Sequence, residues 1–217
     1  MTDFALRRMM MVDTQVRPSD VTKFPIIAAM LAVPREAYVP AHLREAAYVG
    51  ENLALAPGRV VLDPRTLAKM LDALDIQGAD MVLVLGAGLG YGAAVIARLA
   101  EMVIAVEEEA GLAAEAERIL SAEGVDNAMV MAAPLAAGDA RHGPYDAIVI
   151  EGGVEVVPEV ILAQLKDGGR IAALYMEAGV GVVRIGIRRG QAMSWRDAFN
   201  AAAPVLPGFG RVRAFAL

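Results

Sequence analysis

The sequence predicts an α/β protein, a mostly parallel sheet with helices on both faces, preceded by a helical extension. Three observations carry this prediction. From Asp80 onward, short continuous apolar runs alternate with segments of helical spacing, the pattern of strands buried on both faces. The first run, MVLVL, meets three glycines, Gly86, Gly88 and Gly90, and an alanine-rich helical pattern starts at about Tyr91. The second run, MVIAVE, closes on Glu107, about twenty residues beyond the first glycine.

The elements follow in order. Residues 3–15 and 19–31 space their apolar side chains as helices do, the second with Ser19 and Asp20 as its starting cap and Pro34 as its stop. Asp63-Pro64 reads as the N-cap and first residue of a helix carrying Leu67, Met70, Leu71 and Leu74 on one face. Strands are expected near 81–85, 102–107, 128–131, 145–150 and 169–174, and helices near 91–100, 110–122 and 158–165. Residues 180–188 and 211–217 add two strands as an antiparallel edge, which brings the sheet to seven. No repeat, low-complexity tail or long linker interrupts the chain, so one main domain with appendages is expected.

Composition excludes several function classes. The chain has 217 residues, more than half of them hydrophobic, which suffices for a large core. Net charge is −6 with no basic cluster, which argues against a nucleic-acid surface. With no cysteine there is no disulfide framework, thiolate nucleophile or cysteine-bound metal. His42 and His142 sit in polar turns and are too few for a histidine zinc site, so no metal is expected. The opening MTDFALRRMMMVD lacks the apolar core of a signal peptide, and no later run reaches the roughly 18 apolar residues of a membrane span. A cytoplasmic protein without a membrane partner is expected. Trp195, Phe199 and Phe209 suit a core or the face of a homo-oligomer better than a stacking platform, because no basic residues interleave with them.

The glycine loop sets the cofactor. A dinucleotide fingerprint reads G-x-G-x-x-G, whereas here the sixth position is Tyr91. A bulky residue at the helix start suits S-adenosylmethionine, which has no pyrophosphate to seat on the helix N-terminus. Gly86, Ala87, Gly88, Gly90 and Tyr91 are therefore the candidate cofactor loop, weighed against a glycine turn needed only for close packing. Glu107 is the candidate for the ribose hydroxyls, since one carboxylate can accept two hydrogen bonds. Glu108 and Glu109 fit better as helix-start acids. On this reading Glu107→Ala removes cofactor binding and leaves folding intact.

Beyond the loop, the order of motifs resembles the protein-L-isoaspartate O-methyltransferase family, which methylates isoaspartyl carboxylates with S-adenosylmethionine. The pieces run VPREAYVP (33–40), AYVGENLALAPGRVVLDP (47–64), LAKMLDAL, the glycine loop, the Glu107 strand, GPYDAIVIEGG (143–153) and QLKDGGR (164–170), about two thirds of the chain. The resemblance implies a Rossmann-like S-adenosylmethionine-dependent methyltransferase fold. It also implies a division into an N-terminal helical extension and substrate-side segment, 1–78, and a cofactor-binding core, 79–217. It places Leu135, in Ala133-Pro134-Leu135, at the family's adenine-side G-D-G, and it implies a protein or peptide acceptor and a role in protein repair.

Departures from the family pattern bear on the activity. The family serine of G-Q-T-I-S-x-P is Leu62 in GRVVLDP, so no catalytic residue is assigned. The acidic residue two places before the first loop glycine is Val84, the aspartate of Y-x-D is Gly50, and the aspartate of G-D-G is Pro134. A hydrogen bond to a charged group is worth about 1.5–3 kcal/mol, so losing two such carboxylates weakens binding about a hundredfold unless others substitute. Transfer to an ionised carboxylate needs positioning and no general base. Asp63, Asn52 and Glu51 lie in the segment that in the family lines the acceptor side, and Asp139 is the candidate substitute carboxylate; against those roles, Asp63 reads as a helix cap, Glu51 and Asn52 as solvated, and Asp139 as a turn residue. Glu151 stays open between cleft lining and plain loop. The alternative function is a catalytically degenerate member acting as a binding or scaffold module.

Overall fold

The computed structural model describes residues 3–177 and 179–211. Its centre is a seven-stranded sheet of β3 (Met81–Leu85), β4 (Met102–Glu107), β5 (Ala128–Ala132), β6 (Tyr145–Val154), β7 (Leu165–Glu177), β8 (Val180–Arg189) and β9 (Ala192–Asn200), in the order β5-β4-β3-β6-β7-β8-β9. The first four pairings along that order are parallel and the last two antiparallel. A separate antiparallel hairpin, β1 (Leu53–Ala56) and β2 (Arg59–Val61), turns at Pro57-Gly58, where Gly58 takes φ +71°. The strand order changes direction between β3 and β4 on one side and β6 on the other, and ligands of open α/β sheets bind at the carboxyl ends beside such a point.

Strand alternation feeds two cores. Val82, Val84, Val103, Ala105, Ala147, Val149, Ala172 and Leu174 point to one face. There they join α2 (Phe24–Ala32), α3 (Pro64–Leu74) and α4 (Tyr91–Ala97). Leu83, Leu85, Ile104, Val106, Ile148, Ile150, Ile171 and Ala173 point to the other, closed by Leu135, Ile161, Leu206 and Phe209. Both faces being covered explains why β3 is apolar at every position and β4 at every position before Glu107. The N-terminal helices share the first core with the sheet, and Arg170 of the QLKDGGR motif pairs with Asp80 at the foot of β3.

Several expected boundaries hold for local reasons. Asp63 Oδ1 accepts from Thr66 N at 2.9 Å, and Leu67, Met70, Leu71 and Leu74 of α3 are all buried. α5 spans Ala110–Ala122. Asp3 caps α1 (Phe4–Met11), whose helical run continues as a π-helix over Val12–Val16 and a 3-10 turn over Arg17–Ser19.

Other expectations are corrected. Ser19 and Asp20 do not start the second helix. The Ser19 hydroxyl donates back to Gln15 O at 2.7 Å, and Asp20 takes the left-handed φ +66° that ends the first run. α2 begins after Lys23 with Pro25 in its first turn, where a missing N–H costs nothing. The helix expected near 158–165 is the short α6 (Glu159–Leu162), and the chain enters β7 at Leu165. The antiparallel edge is formed by β8 and β9, whereas the strand expected over 211–217 lies outside the described residues apart from Arg211, which is not in a strand. Residues 201–210 run back across the carboxyl ends of the strands, with a parallel bridge from Val205 to Gly153 and Phe209 fully buried.

Candidate cofactor and acceptor site

The site is built where β3 and β4 end. Gly86, Gly88 and Gly90 take φ of +86°, +57° and +93°, a region that L side chains rarely adopt. The loop is pinned to the next strand, as Gly86 N and Ala87 N both donate to Val106 O, at 3.0 and 3.2 Å. Gly90 then caps α4.

Glu107, the last residue of β4, is fully buried beneath this loop. Its Oε2 accepts from Gly88 N at 2.7 Å and its Oε1 from Glu109 N at 3.1 Å. The Arg59 guanidinium of β2 donates to the same Oε2 in an ion pair buried on both sides. Arg59 stands at the glutamine position of the GRVVLDP motif and was not singled out in the sequence. A lone charge in an apolar three-residue strand is the signal that marks it.

A second acid lies beside the loop. Glu151, in the final third of β6, is 5% exposed, and its Oε1 has no hydrogen-bond partner among the described residues. Burial pushes its pKa up to about 8; Arg59 and Arg35 pull it down, while Glu107 pushes it further up. A Cβ on Gly92 would lie 1.6 Å from Glu151 Oε1, so Glu151 occupies the space that a side chain at 92 would take. Gly92→Ala is therefore expected to destabilise the fold by about 1–3 kcal/mol, since overpacking outweighs the gain of up to about 1 kcal/mol from alanine in a helix. Urea unfolding of Gly92→Ala, Glu151→Ala and the double variant checks this, and the double variant should recover most of the loss.

The other sequence-selected residues fall into distinct places. Tyr91 starts α4, but its buried ring faces the N-terminal helices, with Arg35 Cζ 4.6 Å from its centroid and Tyr38 edge-on at 6.0 Å. Leu135 is buried in the second core, and its N–H donates to Glu108 Oε2 at 3.1 Å, so Glu108 ties the end of β4 to the turn after β5. Leu62 is buried in the first core, and its carbonyl accepts from Arg35 Nη2 at 2.8 Å. Val84 is a core residue of β3, Gly50 lies by Gln15, and Pro134 precedes the turn over Leu135–Ala137.

Asn52 is not simply solvated. It donates to Ala202 O at 2.7 Å and accepts from Asp63 N at 2.8 Å, linking the hairpin to α3 and to the segment after β9. Asp139 is a buried turn residue that accepts from His142 N at 3.1 Å, and Glu51 is exposed.

The face over the glycines is lined by side chains and, at Gly86, also by backbone, with Glu151 O 3.4 Å from where its Cβ would stand. A Cβ on Gly86 would meet Leu206 Cδ1 at 3.1 Å and Arg59 Nη2 at 3.5 Å, and one on Gly88 would meet Leu55 Cδ1 at 2.6 Å. These are the ends of flexible chains. The buried polar atoms without a partner near the loop, on Arg59 and Glu151, mark the surroundings as built for polar contacts. Among the described residues no group of three or more acids or histidines is arranged to hold a metal, and no helix is long and apolar enough to cross a membrane.

Comparison with known proteins gives one family. The model described as "Protein-L-isoaspartate(D-aspartate) O-methyltransferase (PCMT)" matches residues 8–178. "Protein-L-isoaspartate O-methyltransferase 1" of Rhodopseudomonas palustris (strain HaA2) is 38% identical over 170 residues, covering 78% of this chain and 69% of the relative. The protein of the same description from Geotalea uraniireducens (strain Rf4) is 35% identical over 188 residues, covering 84% and 86%. A solved structure named protein-L-isoaspartate O-methyltransferase superposes with TM-score 0.82 at 22% identity, over 94% of this chain and 67% of that one. A candidate enzyme of that kind from Plasmodium falciparum, solved with S-adenosyl-L-homocysteine, gives TM-score 0.78 at 15% identity, over 95% and 99%. These two likenesses concern the fold.

Proposed function

Since the chain belongs to the protein-L-isoaspartate O-methyltransferase family, we propose that it transfers a methyl group from S-adenosylmethionine to a carboxylate of a protein or peptide. The observation that carries this is the Glu107 carboxylate held under the loop by the Gly88 and Glu109 amides, at the carboxyl ends of β3 and β4. Glu107 would take the ribose, the backbone of Gly86, Ala87, Gly88 and Gly90 the methionine tail, and Leu135 the adenine side. Bound there, S-adenosylmethionine supplies an electrophilic methyl group. An ionised acceptor carboxylate needs no base, so the chain's part is to orient it and to exclude water.

The division of labour follows the two parts of the chain, with residues 1–78 on the acceptor side and 79–217 on the cofactor side. Isoaspartyl residues in proteins are the proposed acceptor and repair the proposed role. The absence of cysteine fits a reducing compartment such as the cytoplasm.

A second reading draws on Leu55, Arg59 and Leu206, which fill the face over the loop, and on Leu62, which replaces the family hydroxyl. It is a scaffold that has kept the fold without the chemistry. Calorimetric titration with S-adenosylmethionine and S-adenosylhomocysteine, followed by methyl transfer to an isoaspartyl peptide, separates the two. Micromolar binding and transfer are expected. No heat and no thermal shift at millimolar ligand would discard the enzyme and leave the scaffold.

A further inference from the structure

The Glu107 carboxylate is almost saturated. It accepts three hydrogen bonds, from Gly88 N, Glu109 N and Arg59 Nη2, of the roughly four that a carboxylate offers. A ribose diol needs two acceptor positions. Two of the present donors are backbone amides, Gly88 N in the loop and Glu109 N at the start of α5, so the partner that gives way to both hydroxyls is the Arg59 side chain.

Arg59 then has few places to go. It is 5% exposed, and its Nε and Nη1 have no partner among the described residues. The neighbouring acid is Glu151, which burial disposes to stay protonated. The guanidinium needs another anion, and its planar fork fits a carboxylate through two parallel hydrogen bonds. Its position suits both carboxylates that the reaction brings in. Nη2 lies 3.5 Å from where a Cβ on Gly86 would stand, over the loop, and Arg59 precedes Leu62 by three residues on the acceptor side. The GRVVLDP segment, which lost the family's serine hydroxyl at Leu62, thus carries a stronger donor at Arg59 in place of its glutamine.

We propose that Arg59 is a carboxylate-binding residue of this site, released from Glu107 when the ribose hydroxyls bind there and paired instead with a carboxylate of the bound ligands. That carboxylate is the one on the methionine tail of the cofactor or the one on the acceptor. The proposal rests on the function given above.

The test compares the wild type with Arg59→Gln, which restores the family residue, and Arg59→Lys, which keeps the charge without the fork. Dissociation constants are measured for S-adenosylhomocysteine, for 5′-methylthioadenosine, which has the ribose but no carboxylate, and for an isoaspartyl peptide. In Arg59→Gln a loss of at least tenfold is expected for one carboxylate probe, while methylthioadenosine binds as well as before or better because Glu107 has lost a competitor. A loss on S-adenosylhomocysteine assigns the cofactor carboxylate, and a loss confined to the peptide assigns the acceptor's. Arg59→Lys should lose part of the same affinity, and it carries the test if Arg59→Gln does not fold. Unchanged affinity for both carboxylate probes overturns the proposal and leaves the methyltransferase reading standing. A wild type that binds neither nucleoside overturns that reading, and this one with it.

Discussion

Glu107→Ala is expected to lower the stability of the fold by about 3–5 kcal/mol, because it strands the Arg59 guanidinium as an unpaired charge in a buried place. Both side chains of the pair are nearly inaccessible, at 6% for Arg59 and 1% for Glu107. The substitution also leaves the Gly88 amide without its acceptor under a loop already held in left-handed conformations. The sequence alone predicts that Glu107→Ala spares folding, whereas the buried ion pair with a partner 48 positions away predicts a loss of stability. Replacing both members, Glu107→Gln with Arg59→Gln, should recover more than half of the loss, as it leaves no unpaired charge buried and keeps an amide oxygen to accept from the loop. Urea denaturation of the single and double variants measures this. A Glu107→Ala midpoint equal to that of the wild type would show that the pair is not buried in solution.

Glu151→Gln is expected to stabilise the protein increasingly as pH rises. In the unfolded chain this carboxyl titrates near its ordinary value of 4.5, whereas burial in the fold moves it to about 8, against the pull of Arg59 and Arg35 and with a push from Glu107. Between those values the unfolded chain gives up a proton that the fold keeps. The stability tied to Glu151 is thus fully present below pH 4.5 and is lost as pH rises toward 8, at up to about 1.4 kcal/mol per pH unit. Glutamine has nearly the same shape and does not titrate. The difference between variant and wild type should therefore grow across that window to several kcal/mol and then level off. Thermal or urea unfolding from pH 4 to 9 reads it directly. A difference that stays flat with pH would mean that Glu151 ionises as an ordinary solvated carboxylate.

Both predictions concern contacts that no local pattern announces. What was legible was local. The strand, glycine loop and helix of residues 81–97 follow from an apolar run, residues that tolerate positive φ, and a run of small helix formers. The Asp63 cap followed from one side chain and an amide three residues on. Glu107 was legible because strand period and loop spacing place it at a strand end. β1 and β2 escaped notice because strands of four and three residues carry little pattern, although Pro57-Gly58 is a turn signal. β9 escaped because AMSWRDAFN is mostly exposed or half-buried, and its pairing is decided by β8 and the turn at Gly190.

The sequence by itself determined the class of fold, the glycine loop and the family, since each depends on residue types at fixed short spacing. Only the tertiary structure decided what those residues face. Arg59 reaches Glu107 because the β1–β2 hairpin lies over the end of β4, and Glu151 meets Gly92 because β6 runs beside β3. A buried charge is defined by whatever closes over it, and that is a property of packing between distant segments.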